Sequence, residues 1–145
     1  MISACLDSDA VRLGQAAHEG QATAEVRLVT SSDGGRSWGT PTVIFRQEGA
    51  FTKNQLIRSK RGEWLLPMYY TPRGFFEHAS QYSSLRRSVD GRTWADEEVV
   101  LPGTMGGLVQ PTMVRTPHGS LRCFFRSRAA DCVYAADSTD DGHSW

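Results

Sequence analysis

One short phrase recurs in this chain. It first reads Ser31-Ser32-Asp33-Gly34-Gly35-Arg36-Ser37-Trp38. It returns one residue shorter as Ser88-Val89-Asp90-Gly91-Arg92-Thr93-Trp94, and again at full length as Ser138-Thr139-Asp140-Asp141-Gly142-His143-Ser144-Trp145. The shared pattern is Ser-x-Asp-(x)-Gly-x-Ser/Thr-Trp, with tryptophans 56 and 51 residues apart. Its chemistry is that of a hairpin corner. Ser and Asp side chains accept hydrogen bonds from backbone N–H groups just ahead of them. Gly supplies the positive φ that the corner needs, and Trp folds back beneath it, leaving its indole N–H to find a carbonyl.

Self-similarity at a period of about 50 residues, with strand signals inside each unit, points to propeller blades. The segments between the corners fit. Residues 24–30 alternate apolar and polar, as in a half-buried strand, and Pro41 to Phe45 has the β-branched content of an outer strand. In the second unit, strands are expected at Thr52–Arg58, Glu63–Tyr70, Gln81–Ser88 and Glu97–Leu101. In the third they are expected at Leu108–Arg115, Ser120–Arg126 and Cys132–Ser138, and helix-period patterning is absent. Residues 1–22 say least, with Leu6 to Leu13 fitting an inner strand or a short helix.

Composition narrows the partners. Sixteen basic and sixteen acidic residues cancel, so no global field draws nucleic acid or a membrane surface. The sequence holds no apolar run long enough for a spanning helix, and its first residues lack the basic head of a signal peptide. Cys5, Cys123 and Cys132 have no metal-ligand spacing and read as free, mostly buried thiols. No cofactor is implied. Asp137 to Gly142 has a superficial calcium-loop look, but the other two corners lack the extra acid, so it reads as a turn.

The repeated corner resembles the Asp-box of the sialidase (neuraminidase) superfamily. Further likeness to bacterial neuraminidase repeats lies in Asn54-Gln55-Leu56-Ile57, Gly62 to Tyr70, Gln110 to Val114 and Phe124 to Arg128. The likeness implies an all-β fold, a β-propeller of four-stranded antiparallel blades, six of them in the full protein. The chain would hold about two and a half: 1–48 a partial blade ending with the first box and its outer strand, 49–104 a complete blade, and 105–145 a blade cut at the third box. On this reading the chain is a fragment of a longer protein, the remaining blades are its partners, and alone it is inactive and poorly soluble.

The box residues (Ser31, Asp33, Gly35, Trp38; Ser88, Asp90, Gly91, Trp94; Ser138, Asp140, Gly142, Trp145) are then structural. Chemistry is expected at the opposite mouth, where inner strands begin and second strands end. The candidates are Lys53, Asn54, Gln55, Tyr69, Tyr70, Gln110, Arg126 and Arg128, with Glu77, His78 and Asp131 at the starts of third strands. Such polar groups suit a carbohydrate ligand.

By the resemblance, Arg126 matches an arginine that holds the substrate carboxylate, through the two parallel N–H groups of its guanidinium. Gln110 stands where the family often places a glutamate, and an amide orients a hydroxyl without taking a proton. The resemblance thus implies a sialidase-like glycoside hydrolase acting on an anionic or deoxy sugar, with a non-catalytic carbohydrate-binding propeller as the alternative. No residue matches the family's nucleophilic tyrosine or acid/base aspartate. The bland readings are that Arg126 pairs with Asp131 or Asp137, that one of Tyr69 and Tyr70 is core, that His78 is a loop histidine, and that Arg86-Arg87 and Lys60-Arg61 are solvated charges.

Overall fold

The computed structural model describes residues 2–5, 24–71, 80–95, 98–100 and 106–145, and every element among them is a strand. A first sheet holds β1 (Ile2–Cys5), β2 (Glu25–Leu28) and β3 (Thr42–Phe45), in that order. The second holds β4 (Ala50–Phe51) and β5 (Ile57–Arg58), both paired to β6 (Trp64–Tyr70), then β7 (Tyr82–Ser88) and β8 (Glu98–Val99). The third is β9 (Leu108–Arg115), β10 (Leu121–Ser127) and β11 (Val133–Ser138), with β10 central. All pairings are antiparallel. The expected strands are thus present, and β1 joins them from a stretch the sequence left blank. Leu6 to Leu13 lies outside the described residues.

Two apolar layers separate the three sheets. Alternation along β6 sends Leu66, Met68 and Tyr70 toward the first sheet, where they meet Val26 and Phe45, with Ala50 of β4 in the same layer. Leu65 faces the other way and joins Leu85, Leu108, Met113, Leu121, Cys123 and Phe125 against the third sheet. β6 therefore has both faces covered, which explains why it is an apolar run and not an alternating one.

The corners form as the sequence implies in their Ser, Asp and Gly, but the expected indole bond fails at Trp94, whose buried Nε1 has no partner among the described residues. In the third, the Ser138 hydroxyl accepts from Gly142 N (2.8 Å), and Asp140 accepts from Ser144 N (2.9 Å) and Ser144 Oγ (2.6 Å). Trp145 Nε1 donates to Gly142 O at 3.1 Å. Gly142 is obligatory twice over, with φ at 89° and a Cβ there only 2.8 Å from Leu85 Cδ2. The tryptophans, however, are not equivalent. Trp94 packs edge-on against Phe45 of the first sheet (6.0 Å between centroids) and Trp145 against the layer between the second and third sheets, but Trp38 is 49% exposed.

Three further expectations are corrected. The inner strand of the second unit is not one piece, because the chain leaves the sheet between β4 and β5. Cys123 is buried, but Cys132 is exposed; the strand neighbours of Cys123 are Ala136 and Met113. Arg86 and Arg87 are not solvated edge charges. Arg86 Nη2 donates to Gln47 Oε1 (2.7 Å), with the guanidinium stacked 4.5 Å over the Phe45 ring, while buried Arg87 donates to Asp141 O (2.9 Å). Adjacent residues on one strand thus tie its sheet to both neighbours.

Candidate functional site

The mouth-forming residues sit where regular pairing fails. Between β4 and β5 the chain bends through Lys53 and Asn54, and Asn54 Nδ2 donates across to the third sheet, to Pro111 O at 2.8 Å. Opposite it, β9 stays continuous but slips register against Phe124 to Arg126 of β10, carrying an extra residue between Val109 and Thr112, a β-bulge. Gln110 absorbs the slip with φ at 56°, rare for a residue with a Cβ. Bulge and bend together open a cavity of about 250 Å³ lined by Lys53, Asn54, Gln110, Thr112, Phe124, Phe125, Arg126 and Val133.

Behind this cavity stands Tyr69. It is 4% exposed and stacks on Phe51 with centroids 5.4 Å apart. Burial pushes its phenol above the ordinary range, opposed by a hydrogen bond with the Gln110 side chain and by the charges of Arg128 and Arg126. Burial lowers Arg128, with the like charge of Arg126 adding to it. Arg128 is fixed at two points, its Nε donating to Gln81 Oε1 (2.6 Å) and its N to Gly107 O (2.9 Å), and Gly107 N closes the ring on Gln81 O (2.7 Å).

The side chains of Arg126 and Lys53 make no hydrogen bond or ion pair among the described residues, and none of the described residues that line the cavity is a carboxylate. The rival pairings for Arg126 are taken by other groups. Asp137 receives both Nε and Nη2 of Arg122 at 2.7 Å, and Asp131 accepts from the Tyr134 hydroxyl at 2.8 Å. The arrangement offers two cationic groups, an amide and a hydroxyl to an anion that also carries hydrogen-bonding groups.

Of the residues named from sequence, Lys53, Asn54, Gln110 and Arg126 line the cavity, with Tyr69 and Arg128 adjoining. Gln55 is exposed and outside the lining. Tyr70 is core, its hydroxyl receiving Arg86 Nη2 at 3.2 Å. Glu77 and His78 lie outside the described residues. Sequence reading missed Gln81, which is fully buried; a polar residue leading into a strand looks like a turn residue until its partner is seen. It also missed Asp141, whose carboxylate accepts from Lys60 N (2.6 Å) and Arg115 Nη2 (2.7 Å), clipping the third corner to the second sheet.

Comparison with solved structures returns sialidases. A Hadza microbial sialidase, Hz136, superimposes with a TM-score of 0.62 at 17% identity, covering 84% of this chain and 24% of that one. Trypanosoma rangeli sialidase gives 0.56 at 19% identity, covering 88% and 23%, and its complex with sialic acid 0.52 at 22%, covering 84% and 21%. The chain therefore spans about a quarter of the length of these sialidases. Among curated proteins nothing matches. Residues 10–145 match the family described as the BNR repeat-like domain. Residues 10–145 cover most of the chain, so the chain belongs to the BNR repeat-like domain family, and its fold is that of the sialidases it superimposes on.

Proposed function

We propose that the chain is part of a sialidase-like glycoside hydrolase that acts on an anionic or deoxy sugar. Its three sheets are read as blades spanning 1–48, 49–104 and 105–145 of a six-bladed propeller, with the cavity at the mouth of the central channel. The observation that carries this reading is that, among the described residues, the Arg126 guanidinium has no partner and shares the cavity with Lys53 and no acid. Arg126 receives the sugar carboxylate, Gln110 and Thr112 meet hydroxyls, and Tyr69 with Arg128 forms the back wall. The sialic acid bound by the Trypanosoma rangeli relative has the chemistry this cavity favours.

A second reading, a carbohydrate-binding propeller without turnover, is favoured by one residue. Gln110 meets Tyr69 with an amide, which cannot accept the phenol's proton. Assays on the full-length protein decide between the two. Release of 4-methylumbelliferone from its sialoside supports hydrolysis, while sialoside binding without release supports the second reading. Under either, Arg126→Ala weakens sialoside binding by roughly 10- to 100-fold, the loss of a charge-assisted pair. Equal binding of a sialoside and a neutral galactoside refutes both.

A further inference from the structure

Gln110 keeps a backbone conformation that its side chain makes unfavourable. A left-handed φ brings Cβ against the following carbonyl, a clash that glycine escapes. Among the described residues the chain places glycine at eight such positions and another residue type at three: Gln110, Ala130 and Asp141. Glycine at 110 would give the same bulge without strain, so what the strain preserves is the side chain. That side chain lines the cavity beside Arg126, and it acts on the Tyr69 phenol to oppose the effect of burial. Asn54 secures the kink, its Nδ2 lying 2.8 Å from Pro111 O and 3.5 Å from Gln110 O, the two carbonyls that flank the bulge.

We propose that Gln110 is the specificity-determining residue of the cavity: its amide, turned inward by the left-handed kink, reads a hydroxyl of a sugar acid whose carboxylate rests on Arg126. Asn54 is a positioning residue that holds the kink and does not touch the sugar. The proposal rests on the anionic-sugar reading of the site. An amide offers both donor and acceptor positions, so one contact to Tyr69 leaves capacity for a ligand. A sugar acid is then selected by two contacts: its charge on Arg126 and its hydroxyl on Gln110.

The test compares two acids by NMR titration of the full-length protein: the methyl α-glycoside of N-acetylneuraminic acid, and tetrahydropyran-2-carboxylate, a ring acid without hydroxyls. Gln110→Gly weakens the sialoside about 10-fold, leaves the plain acid unchanged, and raises the thermal midpoint by about 3 °C as strain is released. Gln110→Ala gives the same loss without the rise. Asn54→Ala weakens the sialoside in the wild-type background and has no further effect on it once Gln110 is Gly. Retained sialoside affinity in Gln110→Gly, or equal loss for both acids, overturns the role given to Gln110. Unchanged binding of both acids by Arg126→Ala overturns instead the reading of the site on which that role rests.

Discussion

An exposed carboxylate that gathers several hydrogen bonds makes a corner sensitive to acid. Ser37, through its hydroxyl and then its N–H, holds Asp33 far below the ordinary carboxylate value, and Ser144 does the same for Asp140. The N–H groups of Arg92 and Thr93 lower Asp90 from 3.8 to about 2. Each folded value lies below its unfolded one, so the stabilisation is present above about pH 4 and drains away as pH falls, through about 2 for Asp90 and lower still for Asp33 and Asp140. Asp140→Asn is expected to flatten the dependence of thermal midpoint on pH between 4 and 2; an unchanged slope would mean the corner melts independently of the rest. Asp141 works differently. It reaches Lys60 N and Arg115 across the sheets, so Asp141→Ala is expected to lower stability by roughly 2 kcal/mol in denaturant unfolding. The box aspartates were legible in the sequence because their bonds are local. The role of Asp141 was not, since both partners come from distant parts of the chain.

At the level of strands and corners, each box tryptophan does what its neighbouring sheet allows. Trp94 closes the layer between the first and second sheets by lying on Phe45, and Trp145 closes the next layer, yet Trp38 keeps 49% of its surface exposed. Equal motifs in the sequence therefore contribute unequally. Trp94→Ala is expected to cost about 3 kcal/mol and Trp38→Ala about 1 kcal/mol or less, measured by urea unfolding of the chain. The strands themselves were readable, since period-2 alternation and turn residues mark β2, β7 and β9. The break between β4 and β5 and the bulge at Gln110 were not. Both arise where Asn54 bonds to a strand 57 residues away, a contact no local pattern encodes. The cavity lies at those two irregularities, so residue types pointed to the site while its shape stayed hidden.

Across the whole molecule the two faces of the third sheet differ. One carries Leu121, Cys123 and Phe125, each at most 1% exposed, and closes the core. The other shows Val114 at 40%, Phe124 at 39% and Val133 at 71%, together with the Arg122–Asp137 pair. A sheet face with this apolar content is the kind that a neighbouring layer covers or that associates in solution. Under the propeller reading a further blade lies on it. Phe124 and Val133 also line the cavity, so Val114→Ser, outside it, separates the two situations. In the isolated 145-residue chain it should reduce self-association in light scattering and shift the thermal midpoint by no more than about 2 °C, because it removes exposed surface. In the full-length protein it should destabilise by roughly 2 kcal/mol, because the same side chain is then packed. Equal, small effects in both would mean that no blade covers this face, and the propeller would have to close elsewhere.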